Sequence, residues 1–367
     1  MKILQTCGSS SWGGLEKMAL QTSEELAGLG HDVTILCKKD SVLFNEGEKS
    51  GIKCLALFSD DKSLLKNVRN IKKLFVSENY DIVHTHLSHD LWSLVPASRK
   101  SSVKLFLTKH MGSYVSKKDI LHKYLYNRVN GIFAISNYVK ESVLRTCPVK
   151  EDKIKILPDF IKLEKYDTKK YNRNEIRNLY NVDSNTILIG MAGRFTPGKG
   201  HEDLIEAAKL IRKDKRDKIK YFIVGGASMG EDEYEATIRK IVKDSGLEND
   251  FIFTGFSNDI PKLMNAMDIF VMPSHEESFG IVLLEAMAMQ IPVIATDNAG
   301  AKDIVINNES GLLIKPKNPG QLAENIMELI NDKEKRTKLG FAGRKRVEEN
   351  FSPDNIINRL LEFYKKV

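Results

Sequence analysis

Short apolar runs alternate with longer amphipathic stretches along this chain, and that alternation restricts the fold more than any other feature. Strands that alternate with helices pack as a parallel sheet covered on both faces. In the first half, the pattern predicts strands over residues 2–6, 32–36, 82–86, 104–107 and 131–135, and helices over 15–29, 62–76 and 137–145.

The same pattern then starts again. It predicts strands over residues 186–192, 221–224, 251–254, 269–272, 292–295 and 311–314, with helices over 201–212, 232–245, 260–266, 281–289 and 319–331. A chain of 367 residues also exceeds what one hydrophobic core usually supports. We therefore expect an α/β protein with two Rossmann-like domains, 1–165 and 166–350, followed by an amphipathic C-terminal helix within 351–367.

Charge divides unevenly between these halves. Residues 1–165 hold 26 Lys and Arg against 18 Asp and Glu, whereas the rest of the chain is nearly neutral. Two basic stretches, 66–75 and 117–128, mix cations with apolar and aromatic residues. Such stretches favour contact with an anionic membrane surface, although a solvated helix face is the commoner explanation.

The apolar runs and the cysteines indicate a cellular location. No run approaches the ~20 apolar residues of a membrane span, and the four cysteines are scattered without metal-ligand spacing. We expect reduced thiols in a cytoplasmic protein, peripheral at the inner face of the cell membrane if the basic stretches bind lipid.

The strongest chemical motif is Glu-Ser-Phe-Gly-Ile-Val-Leu-Leu-Glu, which follows an apolar strand. Its two carboxylates, Glu277 and Glu285, are eight residues apart and can lie near one face, with Glu277 in the loop before a helix and Glu285 two turns along. Carboxylates accept hydrogen bonds from sugar and ribose hydroxyls, and the free amides at the helix start favour a diphosphate. The residues at this start are Ser278, Phe279, Gly280, Ile281 and Val282. Either glutamate alone is more simply explained as a solvated helix residue.

A second motif places two cations in a glycine-containing loop, after the strand that ends near residue 192. Arg194 and Lys199 lie between Gly193 and Gly200, at the start of a predicted helix. Such a pair can clamp a diphosphate. The P-loop order is absent, and a basic surface loop is the alternative.

A third motif follows the first strand, where Gly13 and Gly14 could let backbone amides reach a phosphate. It departs from the dinucleotide fingerprint, which argues against NAD or FAD. A glycine-rich connector that binds nothing is the alternative.

Histidines follow two first-half strands. His84, His86 and His89 lack the carboxylate or cysteine that would complete a metal site, so no metal is expected. His110 follows a strand at the sheet edge where ligands bind and is the better candidate for function, with a structural histidine as the alternative.

Together these residues resemble the retaining glycosyltransferases of the two-domain GT-B fold, known as group 1 or family 4. The resemblance spans nearly the whole chain. Its most specific part is the motif from Glu277 to Glu285, and further matches are Gly-Gly-Leu-Glu at 13–16, Asp-Ile-Val-His-Thr-His at 81–86 and Ala-Gly-Arg-Phe at 192–195.

The resemblance implies a role for each candidate residue. Arg194 and Lys199 would stabilise the departing diphosphate, Glu285 would bind the ribose, and Glu277 with the Phe279–Gly280 backbone would hold the transferred sugar. Amides of Ile281, Val282, Gly13 and Gly14 would complete the phosphate site, and His110 would approach the reacting sugar. No cofactor or metal is implied.

The resemblance also implies the reaction. The donor, a UDP-sugar carrying a hexose, would bind in a cleft between the domains, and the C-terminal helix would cross back to the first domain. The acceptor would be a hydroxyl of a glycan or lipid-linked carrier, as in polysaccharide or lipopolysaccharide synthesis.

The sequence departs from the family pattern at three places. Pro-Asp-Phe at 158–160 replaces the common Pro-Asn-Gly, Thr-Lys-His-Met at 108–111 replaces the usual His-Gly, and Gln290 stands where glycine is common. None of these changes removes a proposed phosphate ligand.

Three other functions are weighed against this one. A nucleotide-sugar epimerase of the same architecture would need an additional acid/base set, which is not evident. An NAD-dependent oxidoreductase lacks its fingerprint. A non-catalytic nucleic-acid-binding protein is suggested only by the basic first half, and no recognition motif supports nucleic acid as a partner.

Overall fold

The computed structural model describes residues 1–58, 63–212, 218–227 and 232–366. The first residue of the helix predicted over 62–76 and the last of the segment 351–367 lie outside these ranges. Within them, no helix has the length and apolar character needed to cross a membrane. The chain forms two compact units: Met1–Phe160 with the residues from Pro353 onward, and Ile161–Ser352.

The first unit is a parallel sheet with helices between its strands. Its strand order is β3-β2-β1-β4-β5-β6-β7. The elements in chain order are β1 (Lys2–Cys7), α1 (Gly14–Gly28), β2 (Asp32–Lys38), α2 (Val42–Lys49), β3 (Lys53–Phe58), α3 (Leu64–Ser77), β4 (Ile82–Thr85), α4 (Leu91–Ala97), β5 (Lys104–Lys109), α5 (Ile120–Asn127), β6 (Gly131–Ala134), α6 (Asn137–Thr146) and β7 (Ile154–Ile156).

The second unit repeats this topology, with the strand order β10-β9-β8-β11-β12-β13. Its elements are α7 (Arg173–Leu179), β8 (Ile187–Ala192), α8 (His201–Arg212), β9 (Ile219–Val224), α9 (Asp232–Asp244), β10 (Phe251–Gly255), α10 (Ile260–Met264), β11 (Ile269–Met272), α11 (Ile281–Ala288), β12 (Val293–Thr296), α12 (Ala301–Ile304), β13 (Leu312–Ile314), α13 (Pro319–Asn331) and α14 (Lys333–Asn350). Two Rossmann-like sheets are thus confirmed.

Each sheet reverses its strand order at one place, and ligands of such folds bind beyond the carboxyl ends of the strands there. In the first unit the reversal lies between β1 and β4, with Ile3 opposite Ile82. In the second it lies between β8 and β11, with Ile189 opposite Ile269. Loops that follow these four strands are therefore the places to examine for a site.

The C-terminal helix α15 (Pro353–Lys366) packs on the first unit, which confirms the expectation that it returns there. Its apolar face is buried through Ile356, Ile357, Leu360 and Tyr364. The Tyr364 ring lies 4.9 Å from that of Phe106 on β5, and its hydroxyl lies 2.6 Å from His84 Nδ1 on β4.

Several elements were not predicted: α2, β3, α4, α5, β7 and α7. The edge strand β3 is partly exposed, and its apolar run over residues 54–58 was not interpreted as a strand. Helix α7 lies in a polar stretch, yet Arg177 is buried because it bonds the Asp268 carboxylate and three backbone carbonyls. Because Arg177 is buried through charge pairing and hydrogen bonds, α7 lacks the apolar periodicity by which a helix is predicted.

Candidate functional site

Two loops meet at the switch point of the second sheet. Residues 193–200 follow β8, residues 273–280 follow β11, and the two strands are hydrogen-bonded neighbours. The loops bring together two predicted side chains, because Lys199 Nζ lies 2.5 Å from Glu277 Oε2. Both side chains are largely shielded from solvent, with 25% and 19% of their surface exposed. A cation and a carboxylate are thus fixed at the edge where the fold binds ligands.

Hydrogen bonds between the loops hold this geometry. The His275 amide donates to the Gly198 carbonyl over 2.7 Å, and the Ser274 hydroxyl donates to the Lys199 carbonyl over 3.4 Å. The His275 ring lies 2.7 Å from Asp203 on α8. Neither His275 nor Asp203 was predicted, although His275 stands two residues before Glu277 and could have been found by its position.

Helix α11 begins beside Glu277. Gly280 precedes it with φ +95°, in the left-handed region where glycine is unstrained. Ile281 and Val282 are its first residues, so their amides have no partner four residues back within the helix. The N-terminal end of α11 therefore presents amides and a positive dipole.

The backbone before α11 is tightly packed. The Gly300 amide donates to the Glu277 carbonyl over 2.8 Å, and a Cβ atom on Gly300 would lie 2.3 Å from the Ser278 carbonyl oxygen. Phe279 is buried against Phe351 at a ring distance of 6.1 Å. Of Phe279, only the main chain can face a ligand.

Glu285 lies on α11 and accepts a hydrogen bond from Tyr166. The Tyr166 hydroxyl donates to Glu285 Oε1 over 2.7 Å. Burial and the neighbouring Glu285 charge raise the pKa of Tyr166, so its proton stays in this hydrogen bond. Tyr166 was missed because it lies in the polar stretch after the first domain, which carries no periodic signal.

Gly193 and Arg194 follow β8. The Gly193 amide donates to the Val224 carbonyl over 2.9 Å, so the sheet already uses this amide. Gly225, at φ +142°, lies so close to Gly193 that a Cβ atom there would be 1.8 Å from the Gly193 carbonyl oxygen. The Arg194 side chain is exposed, which leaves it accessible to an anionic ligand.

Gly13 and Gly14 belong to the first unit, at the start of α1. The Gly13 amide donates to Glu16 Oε2 over 2.8 Å, and Glu16 is buried. This amide is thus engaged by a carboxylate. Gly14 is the first helical residue, and a Cβ atom on it would meet no described atom within 4 Å.

His110 directly follows β5 in the first unit and is 7% exposed. Its Nε2 lies 3.0 Å from His86 Nδ1, and His86 Nε2 lies 3.0 Å from Gln5 Oε1. Burial keeps the pKa of His86 well below its ordinary value, so His86 is neutral. Because Gln5 Oε1 accepts from His86, His86 Nδ1 accepts from His110. The other ring nitrogen of His110, Nδ1, lies 3.5 Å from Asp159 Oδ1 and has no hydrogen-bond partner among the described atoms.

A buried carboxylate lies at the same edge. Asp90 accepts hydrogen bonds from the Gly8 amide at 3.1 Å and from Thr6 and Thr85 hydroxyls at 3.3 Å. Burial raises its pKa to about 7. Lys109 donates to the Ser88 hydroxyl, and burial lowers its pKa to about 8. Neither Asp90 nor Lys109 was predicted.

Two of the histidines weighed as metal ligands, His84 and His86, contact protein atoms through both ring nitrogens. His84 Nε2 lies 2.6 Å from the Thr108 hydroxyl, its Nδ1 contacts Tyr364, and burial lowers its pKa to about 3. Among the residues that the structure describes, no group of three His, Cys, Asp or Glu side chains could hold a metal ion.

Family models match both units. Residues 12–165 match the model described as Glycosyltransferase Family 4, and residues 172–346 match the model described as Glycosyl transferases group 1. The two matches together span most of the chain and include every candidate residue of the site.

Individual relatives agree with these models. The capsular polysaccharide biosynthesis glycosyltransferase CapM of Staphylococcus aureus is 29% identical over 84% of this chain and 82% of its own length. The Escherichia coli UDP-Gal:alpha-D-GlcNAc-diphosphoundecaprenol alpha-1,3-galactosyltransferase is 27% identical over 87% and 85%. A crystal structure of a glycosyltransferase from Rickettsia africae superposes with a TM-score of 0.89 at 28% identity, covering 100% of this chain and 98% of that one.

Proposed function

Since this chain belongs to the glycosyltransferases of group 1 and family 4 with the GT-B fold, we propose that it transfers a hexose from UDP to a hydroxyl of a glycan or lipid-linked acceptor, with retention of the anomeric configuration. The observation that carries the proposal is the Lys199–Glu277 pair at the start of α11. A cation that faces developing phosphate charge and a carboxylate that accepts sugar hydroxyls are the two groups this transfer needs.

The diphosphate is the leaving group and gains negative charge as the bond to the sugar breaks. Lys199, Arg194 and the amides of Ile281 and Val282 would stabilise that charge, which removes the need for a divalent metal. Lys199 is held before reaction by its contact with Glu277 and by the hydrogen bonds between the two loops. Glu277 would orient the Lys199 ammonium as well as accept a hydrogen bond from the sugar.

Glu285 would bind the ribose hydroxyls of the nucleotide. The Tyr166 hydroxyl donates to Oε1 of this carboxylate and orients it, and a carboxylate can accept hydrogen bonds from two neighbouring hydroxyls. Glu285 lies four residues, or about one helical turn, from the start of α11, where the diphosphate would bind. This separation suits a nucleoside diphosphate better than a free sugar phosphate.

In the reaction, the sugar–phosphate bond breaks and the acceptor oxygen bonds to the same face of the sugar. The acceptor proton passes to the departing phosphate oxygen, which balances the exchange. His110, with Nδ1 beside Asp159, would contact the sugar near the reacting carbon.

The acceptor and location are the finer parts of this proposal. The printed name of the Escherichia coli relative includes a lipid diphosphate acceptor and a UDP-sugar, and this supports the same classes here. All four cysteines are free, which agrees with reduced thiols in the cytoplasm. We place the enzyme there, peripheral at the inner face of the membrane, with no nucleic-acid partner.

A thermal-shift screen with UDP, GDP, ADP, NAD and their sugar conjugates tests the donor site, because a ligand that binds the native state raises its melting temperature. We expect UDP and one UDP-hexose to raise it. A shift with NAD alone would contradict the proposal. A shift with GDP alone would show that the base of the donor is guanine and not uracil. The identified donor and a lipid-diphosphate sugar acceptor should then give free UDP and a product whose anomeric configuration, read by NMR, matches that of the donor.

A further inference from the structure

Apolar side chains project into solvent from one short segment of the first unit. Residues 111–124 link the end of β5 to α5 and its first turn. Ile120 is 81% exposed and Tyr114 is 78% exposed. We call the following exposed residues the β5–α5 patch: Met111, Tyr114, Val115, Ile120, Leu121 and Tyr124. Single exposed apolar residues are ordinary, whereas six within 14 residues mark an interaction surface.

The patch stands on an anchored backbone. The Ser113 amide donates to the Ser142 hydroxyl over 2.8 Å, and the Lys117 amide donates to the Thr146 carbonyl over 2.7 Å, so α6 holds the loop at two points. Asp119 caps α5 by accepting from the amides of Leu121 and His122. The apolar side chains are therefore presented by a fixed scaffold.

Helix α5 has one buried side and one exposed side. Leu125 and Tyr126 pack into the core. Ile120 and Tyr124, four residues apart, lie above one another on the exposed side. The exposed side of α5 does not pack against the core of the first unit.

Cations accompany the patch. Lys117, Lys118 and Lys123 lie among the apolar residues, against a single acidic residue, Asp119. The Asp119 carboxylate is already engaged by the helix amides and by the His122 ring at 2.5 Å. Apolar side chains combined with lysines match an anionic bilayer surface, where apolar groups enter the acyl boundary and cations meet headgroups.

A second copy of the chain is a poorer occupant. A two-fold interface brings the same patch against itself, so the three lysines would face the same three lysines. The single acidic residue of the segment, Asp119, is already engaged. This charge arrangement opposes self-association and favours an anionic lipid surface.

We propose that the β5–α5 patch is the surface by which this protein docks on an anionic membrane. The patch begins at Met111, directly after His110, and so adjoins the sheet edge where the acceptor would bind. Docking there would bring a lipid-linked acceptor to that edge. This consequence rests on the proposed function, but docking itself requires neither donor nor acceptor.

Flotation of the full-length protein with vesicles tests the proposal. Vesicles of phosphatidylcholine alone are compared with vesicles containing phosphatidylglycerol. The variant Ile120→Ser/Leu121→Ser removes apolar groups, and Lys117→Ala/Lys118→Ala/Lys123→Ala removes charge. Leu65→Ser on α3 is the apolar control, since Leu65 is 82% exposed and directly precedes the other basic stretch. Lys333→Ala/Lys338→Ala/Lys345→Ala, at exposed sites on α14, is the charge control.

We expect wild type and both controls to float with the anionic vesicles. Partitioning should fall at least ten-fold in the apolar variant and about 10²-fold in the lysine variant, since each lysine near the surface is worth roughly five-fold. Unchanged melting temperatures and unchanged UDP-induced shifts would show that fold and donor site are intact.

Four results would overturn the proposal. In the first, the wild-type protein stays in the unbound fraction. In the second, both patch variants float as well as the wild-type protein does. The third is light scattering that shows a dimer which Ile120→Ser/Leu121→Ser dissociates, without any flotation. Loss of flotation in Leu65→Ser alone would likewise assign docking to α3 and reject the β5–α5 patch.

Discussion

Gly200 packs directly against the carbonyl of Pro273, so that a Cβ atom on Gly200 would lie 2.2 Å from the Pro273 oxygen. This approach joins the two loops of the donor site, one from β8 and one from β11. Gly200 also has φ +84°, a left-handed conformation that costs other residues about 1–2 kcal/mol. Gly198, two residues earlier, has a similar φ of +86° but open space where a Cβ atom would lie.

These two glycines form a matched pair for mutation. Gly198→Ala should destabilise the protein by about 1 kcal/mol, from backbone conformation alone. Gly200→Ala adds a collision with backbone and should cost about 3 kcal/mol or more, because the loops must separate. Chemical denaturation followed by circular dichroism measures both. Equal losses of stability in the two variants would contradict the close approach at Gly200.

Removal of the Lys199 ammonium should reduce transfer without unfolding the protein. Lys199→Ala, and separately Arg194→Ala, should lower kcat about 10²–10³-fold, because each removes a preorganised donor to the departing diphosphate. Steady-state release of UDP gives kcat, and a thermal melt reports folding.

Lys209→Ala is the control for Lys199→Ala. Lys209 lies on α8 of the same unit, where it pairs with Glu206 at 2.8 Å, and surface pairs of this kind contribute little. It should keep wild-type turnover. Wild-type turnover in both Lys199→Ala and Arg194→Ala would reject the assignment of these cations to the diphosphate.

Much of the fold could be predicted because buried parallel strands are continuous apolar runs. The strands β8 and β11 are of this kind, and the rule that ligands bind beyond their carboxyl ends pointed to Lys199 and Glu277. Their 2.5 Å contact could not be read from the sequence, since 78 residues separate them. It follows from the pairing of β8 with β11, which no local pattern encodes.

The supporting residues could not be predicted for a related reason. Tyr166 contacts Glu285 across 119 residues and lies in a polar stretch without periodicity. A role for His86 and Asp159 could be inferred only once the fold placed them on either side of His110. Sequence reasoning thus found groups whose chemistry stands in a local motif, and it missed groups that orient them from elsewhere in the chain.

Tyr166→Phe should weaken nucleotide binding. The change leaves the Glu285 carboxylate without the donor that orients it, so we expect the Kd for UDP to rise roughly ten-fold, within the range for hydrogen bonds to charged groups. The Kd for pyrophosphate should not change, because it has no ribose. Calorimetric titration measures both.

Tyr171→Phe controls for the loss of a hydroxyl in the same segment. The Tyr171 hydroxyl donates to the Lys165 carbonyl over 2.7 Å, on the surface. It should bind UDP as wild type does. If Tyr166→Phe binds UDP as tightly as this control does, Glu285 is not the residue that recognises the ribose.

Buried histidines should make the first unit sensitive to acid. In the native state the pKa of His84 is about 3, and that of His86 is also well below the ordinary 6.5, because both are buried. Below pH 6.5 the unfolded chain takes up two protons that the native state does not bind. Their contribution to stability is therefore complete above about pH 6.5 and lost as the pH falls toward 3, by roughly 2.7 kcal/mol per pH unit.

Asp90 should oppose this loss of stability in acid, and the substitution Asp90→Asn should make the loss steeper. Its native pKa of about 7 exceeds the ordinary 3.8, so between these values the native state holds a proton that the unfolded chain has released. The Asp90 contribution is full below about pH 3.8 and is lost as the pH rises to 7, at about 1.4 kcal/mol per pH unit. Between pH 4 and 6.5 the Asp90→Asn variant should therefore lose stability with acid more steeply than wild type. Both tryptophans, Trp12 and Trp92, lie in the first unit, so their fluorescence during urea denaturation measures this slope. Equal slopes in wild type and variant would show that Asp90 is ionised in the native state throughout that range.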